Sequence, residues 1–459
     1  MQKILAIAWL TWKAALRFRL FLVITVLLVL AVVGLPLIIK DDGSAEGFTQ
    51  IILTYTLSSI TGLLGLSTLW LACGTLARDV EECQIQVLAS KPIARWQIWL
   101  GKWLGIVTLN AVLLAIAGSC VYGMLQWRSA QLSPREQAKL HSEVLVSRGS
   151  AREPDLSADI EAEAEQILQV RLKSTPMDKV DVPEVRRQIR EGVKADFQIV
   201  QPSYQRRWII DLGFAKNFLQ GKPLQLRIKF NAPQKSASGT FAGMWEVGVA
   251  PRLWQSPPMS LAPDTFHEIT IPPDLFDADG KLTVAFDNIN DVALLFPLDD
   301  GFEVLYPEGG FALNFARGLA VIFCWMALLA ALGLMAASFL SFPVAAFFSM
   351  GLLIVGLSGD TLAQTVNSGT VAAGNDETGE RGHSVADVVL IPAFKGMLTV
   401  ISLAKNSSPI DALSTGRSIT WDELGTDFVQ IVLLLGGGIS LTGMFLFNRR
   451  ELAAVQGSS

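Results

Sequence analysis

Histidine and cysteine are scarce in this chain, three and four among 459 residues. His141, His267 and His383 stand far apart, and no HExxH motif or Cys/His cluster at zinc spacing is present, which argues against a metal centre. Cys73, Cys83, Cys120 and Cys324 all lie in or beside apolar segments, so no disulfide framework supports the polar middle of the chain. GxxxxGK[ST] is missing, so the chain has no recognisable phosphate-cradling loop with which to hydrolyse ATP. GxSxG is missing too, and nothing else marks a nucleophile with its base. No enzyme activity, bound cofactor or nucleic-acid partner is therefore expected of this chain. The N-terminus lacks a short apolar core followed by a small-residue cleavage site, so no cleaved signal peptide is expected.

What is abundant is apolar sequence: 51% of residues are hydrophobic and only 17% charged. A membrane-crossing helix needs about 20 apolar residues. Leu20 to Ile39, Ile51 to Ala77, Ile98 to Gln126, Leu313 to Ala337, Phe342 to Leu357 and Phe428 to Phe447 are the candidates, the fifth short and opened by Pro343. The expectation is an α-helical polytopic membrane protein of six transmembrane helices.

Orientation follows from lysine and arginine in the short loops. Lys3, Lys13, Arg17 and Arg19 precede the first span, Arg78, Lys91, Arg95 and Lys102 surround the second loop, and Arg449 with Arg450 follows the last span. These sites share one side if the span count is even, so both termini are expected in the cytoplasm. Residues 385–404 are apolar enough to suggest a seventh span. Asp387 and Lys395 would each cost roughly 2.5 to 3.5 kcal/mol at the bilayer centre, and Pro392 and Gly396 interrupt the run. An outer interfacial or re-entrant segment is the expectation there. Arg317 is expected to snorkel to the outer surface, and Gly436, Gly437, Gly438 and Gly443 to allow close helix contact.

Residues 128–310 divide the membrane halves 1–127 and 311–459 and read as an inserted extracytoplasmic α+β domain. Its first part, 131–200, is rich in Glu, Arg, Gln and Ala, with Ile160, Ile167, Leu168 and Leu172 at helical spacing. From Tyr204 onward, short alternating runs such as RRWIIDLGF, LQLRIKF and KLTVAF are separated by Gly, Pro, Asn and Asp. These predict an antiparallel β-sandwich over 204–310. Asp299, Asp300 and Glu303 read as a solvated acidic turn, since they fit no EF-hand signature. Trp208, Trp245 and Trp254 are read as core residues, with sugar stacking as the alternative.

The most specific stretch is Leu76 to Gly105, LARDVEECQIQVLASKPIARWQIWLGKWLG. At helical spacing Val80, Ile85, Val87 and Leu88 make an apolar stripe, while Arg78, Asp79, Glu81, Glu82 and Gln84 face water. A surface helix over 78–89 follows, ended before Pro92. Trp96, Trp99 and Trp103 share a face where the next span meets the headgroups.

This loop resembles the signature of type-2 ATP-binding-cassette permeases. In those, an acidic pair precedes a Gly-Thr, an apolar run, a Pro, an Arg and a Gly-Lys opening the third span. Asp79 and Glu81 match the acidic pair, Leu88 the apolar run, Pro92 and Arg95 the turn, and Gly101 with Lys102 the helix start; Cys83-Gln84 stands where the Gly-Thr would be. MQKILAIAWLTWKAALRFRL resembles the family's amphipathic elbow helix, and FLFNRRELAA its C-terminal ending. The resemblance implies a permease of the bacterial inner membrane. Its partners would be a second permease copy, identical or related, and a cytoplasmic ATPase that carries the ATP and magnesium. Arg78, Asp79, Glu81, Glu82, Gln84, Pro92 and Arg95 would form the ATPase-docking surface. The alternatives are ATP-driven force transmission to an envelope partner, or a membrane-anchored carbohydrate-binding module.

Overall fold

The computed structural model describes residues 2–17, 19–39, 44, 47–48, 50–82, 93–143, 145–174, 182–234, 238–298, 300–368, 387–405 and 408–450. It divides into two compact units, Met1–Val146 with Gly310–Ser459, and Ser147–Gly309. The first boundary falls later than the sequence suggested. The apolar helix runs on to Ser129, and the helix Pro134–Glu143 that follows places Leu140 in the core of the helical unit.

The helical unit is built on α1 (Gln2–Arg17), α2 (Leu57–Glu81), α3 (Arg95–Ser129), α4 (Phe311–Ala337), α5 (Phe342–Leu357) and α6 (Gly437–Arg449). Among the described residues, four helices are long and apolar enough to cross a membrane: Ile51–Glu81, Arg95–Ser129, Phe311–Ala337 and Trp421–Arg449. The other two segments expected to span are shorter apolar helices, Val23–Ile38 and Phe342–Leu357, and Leu390–Ser402 is a third of that kind. The first of them is irregular: a π-helical turn, Leu30–Gly34, precedes Pro36. Proline has no backbone donor and crowds the preceding turn, which favours such widening.

α1 packs along α3 in the same direction. A Cβ added at Gly101 would lie 2.7 Å from the Cβ of Ile7, and one at Gly105 would lie 2.8 Å from the carbonyl oxygen of Ala8. One turn on, Trp12 Nε1 donates to Thr108 Oγ1 at 3.0 Å. The buried face of the expected elbow helix (Ile7, Ala8, Thr11, Ala15) is thus a protein contact. α2 and α4 approach as closely, Gly333 meeting Ala72 and the backbone of Leu69. Of the C-terminal glycines, Gly443 abuts Met335 and Trp99, whereas Gly437 and Gly438 face open space. Arg317 does not reach outward: it is buried, its guanidinium 5.5 Å from the Trp421 ring centroid.

The second unit carries strands β1 (Val146–Ala151), β2 (Ile199–Val200), β3 (Gln205–Asp211), β4 (Leu224–Ile228), β5 (Phe241–Val249), β6 (Arg252–Gln255), β7 (Met259–Leu261), β8 (His267–Ile271), β9 (Lys281–Asn288), β10 (Leu294–Leu295) and β11 (Phe302–Gly310). They form a sheet of order β1-β11-β4-β8, a second of order β3-β9-β5-β6 with β7 beside β5, and the pair β10-β2. The pairs β3-β9, β5-β9, β4-β8 and β11-β4 are antiparallel. Alternation along the strands turns one face of each large sheet to a common core, where Trp208 of β3 stacks on Phe302 of β11 at 4.6 Å between centroids. Trp208 and Trp245 are fully buried there and offer no sugar platform; Trp254 is half-buried.

Helices Ser157–Ser174 and Val182–Gln198 pack through Ile160, Ala164, Leu168, Ile189 and Val193. Ile167, read from spacing as an inward residue, is exposed; the small Ala164 takes the contact and draws the helices together. The acidic turn is also corrected. Asp299 lies outside the described residues, Asp300 pairs with Lys229 at 2.7 Å, and Glu303 is buried beneath Arg227 and Arg152.

A second pair in this unit, Glu153 and Arg206 at 3.6 Å, is partly buried. Burial pushes the Glu153 carboxyl above the usual range despite the attraction of Arg206, and burial likewise lowers Arg206. A raised carboxyl pKa means the folded state holds its proton more tightly than the unfolded chain. The contribution of Glu153 therefore falls as pH rises from the ordinary value of 4.5 through the folded pKa, then levels off. The stability difference between the parent and Glu153→Gln is expected to shift in that direction in melts over a pH series. A difference independent of pH would contradict it.

Candidate functional site

The described residues among those singled out in the loop gather where the ends of α2 through α6 meet, and most are held by other helices. α2 does not stop before Arg78: it continues to Glu81, so Arg78, Asp79 and Glu81 form its last turn and do not begin a separate helix. Residues 83–92, with Cys83, Gln84, Leu88 and Pro92 and the remainder of the expected surface helix, lie outside the described residues.

Asp79 faces inward. Its carboxylate accepts from Lys102 Nζ at 2.5 Å, and the same ammonium donates to the Thr75 carbonyl at 2.7 Å. Lys102 is 6% exposed, so this ion pair ties the end of α2 to the first turns of α3 from within. Two residues along, Glu81 Oε1 accepts the backbone amide of Phe342 at 3.0 Å. It thereby satisfies one of the unpaired donors at the N-terminus of α5, where a negative charge is favoured. Arg78 lies 4.8 Å from the Phe342 ring centroid, and Trp70 meets that ring edge-on at 5.4 Å.

Arg95, expected at the turn, closes the opposite side. Its Nη1 donates to the carbonyls of Asn448 at 2.8 Å, Arg450 at 2.9 Å and Phe447 at 3.3 Å, capping the C-terminus of α6. Arg450 in turn donates to the carbonyls of Ala337 and Ser338 at the end of α4. Trp99 is fully buried between these ends, its indole nitrogen 3.3 Å from Ser338 Oγ, and Trp103 donates to the Ala327 carbonyl. Only Trp96 of the three tryptophans is exposed as a headgroup belt requires. Glu82 is exposed at the tip of α2.

Sequence reasoning misread what several of these side chains contact. It missed Phe342, Arg450 and Ser338 as members of the rim, for which the sequence carries no local signal. The rim is a clamped joint of five helix ends. Among the described residues no group of three or more His, Cys, Asp or Glu side chains is placed to hold a metal.

Residues 5–131 match the family model of the ABC-2 family transporter protein, a stretch that contains α1, α2, the connection and α3. No curated protein and no solved structure matches the chain. The matched family is a membrane transport component and not the ATPase itself. Together with its apolar helices, the match over residues 5–131 supports an ABC-2 type permease embedded in a membrane.

Proposed function

We propose that the chain is the permease subunit of an ATP-driven transporter whose cytoplasmic ATPase grips the connection between α2 and α3. The observation that carries this is the clamped rim: charged and polar contacts of Asp79, Glu81, Arg95 and Arg450 join five helix ends around one connection. Movement imposed on that connection would tilt the helices as bodies instead of bending one of them. Within this reading six segments span the membrane, both termini are cytoplasmic, two permease copies pair, and the two-sheet unit stands outside the inner membrane as a β-sandwich. Glu82 and the residues following it supply the ATPase contact. Asp79 and Arg95 position that contact from within.

The test is co-expression with the ATPase encoded nearest to the chain, followed by purification in nanodiscs and measurement of ATP hydrolysis. The double variant Glu81→Lys and Glu82→Lys is expected to lose the complex or its activity, by tenfold or more, while inserting into the membrane normally. Glu81→Gln alone, which keeps a hydrogen-bond acceptor for Phe342, should retain most of it. Undiminished coupling in the double variant would remove the docking assignment.

A further inference from the structure

The second unit has a cavity that the permease reading does not use. It lies between the β5–β6 hairpin and the loop from Pro272 to Ala278, has a volume of about 600 Å³, and is lined by Lys216, Val249, Pro251, Arg252, Asp274 and Asp277 among others. A shallower groove continues it past Trp254, Pro272 and Pro273, sharing Arg252, Asp274 and Leu275 with it. The hairpin is held in place by Gly248: its φ is +97°, and a Cβ there would lie 2.2 Å from the Arg252 carbonyl oxygen. The position of Arg252 is therefore fixed by backbone geometry that other residues resist.

Two cations line this cavity without a carboxylate partner among the described residues. Arg252 Nη1 reaches only the Asp274 carbonyl at 3.4 Å, and Lys216 Nζ only the carbonyl of Ala278. The nearby carboxylates are occupied by backbone amides on one oxygen each. Asp274 Oδ1 accepts from Gly221 at 3.1 Å, and Asp277 Oδ1 accepts from Asp279 and Lys281 at 2.9 and 2.8 Å. Among the described residues the second oxygen of each has no partner and is placed to accept from a ligand. Beside them the groove offers the half-buried Trp254 and the apolar rings of Pro272 and Pro273.

We infer that this cavity binds an acidic saccharide. Arg252 and Lys216 hold its carboxylate or phosphate, Asp274 and Asp277 accept its hydroxyls, and Trp254 with the two prolines receives the face of an adjoining sugar ring. A bare inorganic anion would meet the cations but leave the acceptors and the apolar groove unused. A neutral sugar would leave both cations unpaired. The volume lies within the range of small-ligand sites, about 300–1,000 Å³.

The experiment uses the full chain in nanodiscs, with no ATPase present, so that its outcome is separable from that of the permease reading. Calorimetric titrations compare an oligogalacturonate, a malto-oligosaccharide of equal length and inorganic phosphate. The acidic oligomer is expected to bind, and the other two at least tenfold more weakly. The double variant Arg252→Gln and Lys216→Gln should weaken the acidic oligomer by tenfold or more, and Trp254→Phe by a smaller factor, with parental melting behaviour in both. Absence of binding by the acidic oligomer, or binding unchanged in the double variant, overturns the site. Equal affinity for phosphate overturns the saccharide assignment.

Discussion

Asp79→Ala is expected to destabilise the helical unit by about 3–5 kcal/mol, the range for removing one partner from a buried ion pair. The size follows from what is left behind. Lys102 is almost fully enclosed, and without Asp79 its ammonium keeps only the Thr75 carbonyl. An ammonium in such surroundings must stay charged at high cost or lose its proton. Removing both charges, with Asp79→Leu and Lys102→Met, should recover most of the loss, because apolar side chains of similar size suit the packed junction of α2 and α3. The measurement is unfolding in detergent micelles for the parent, both single variants and the double. If Asp79→Ala were as stable as the parent, the pair would not hold the helices. The double variant also separates position from contact. Coupling to the ATPase that survives in it makes Asp79 a positioning residue, whereas a stable but uncoupled double variant returns Asp79 to the partner surface suggested by its sequence.

The rim shows where sequence periodicity stops being informative. Apolar runs identified the long helices α2, α3 and α4 because length and composition alone decide whether a helix can cross a bilayer. The change from helical to alternating spacing near Tyr204 located the strands from β3 onward for a similar reason, since period two is local. Period says which face of a helix is apolar. It does not say which helix that face meets. Glu81 and Phe342 are 261 positions apart, Arg95 and Phe447 352, and neither contact leaves a mark on its own neighbourhood. Charged residues near a helix end were therefore read as facing water, while in the fold they satisfy the backbone groups of other helix ends. The tryptophans erred in the same way: Trp99 has the spacing of an interfacial belt but fills the junction of α3, α4 and α6. Ile167 and Ala164 show a third limit, because closeness of packing favours a small residue that an apolar pattern passes over.

The largest effect in the second unit is expected from Glu303, and for a reason opposite to its appearance in the sequence. In a run with Asp299 and Asp300 it looks like part of a solvated turn, yet it sits on β11 with 3% exposure. One of its carboxylate oxygens accepts from Ser150 Oγ at 2.7 Å and from two nitrogens of Arg152 at 3.1 and 3.2 Å; the other accepts from Arg227 at 3.0 Å. Arg227 is itself buried, with the Phe266 ring 3.9 Å from its guanidinium. Removal of Glu303 would strand that guanidinium between β-strands with a π face as its remaining anionic-side contact. Glu303→Ala is therefore expected to cost the second unit about 3–5 kcal/mol, and a combined Glu303→Leu and Arg227→Met variant much less. The exposed pairs of the helical hairpin give the contrast on the same unit. Glu165 with Arg186 and Glu161 with Arg190 are solvated on both sides, and breaking either should change stability by less than about 1 kcal/mol. Protease susceptibility of residues 147–309, followed in the full-length protein against denaturant, reads both classes of variant. A Glu303→Ala loss no larger than that of Glu165→Ala would mean that water reaches the Arg227 guanidinium, and the buried network would then contribute orientation to the sheet without contributing to its stability.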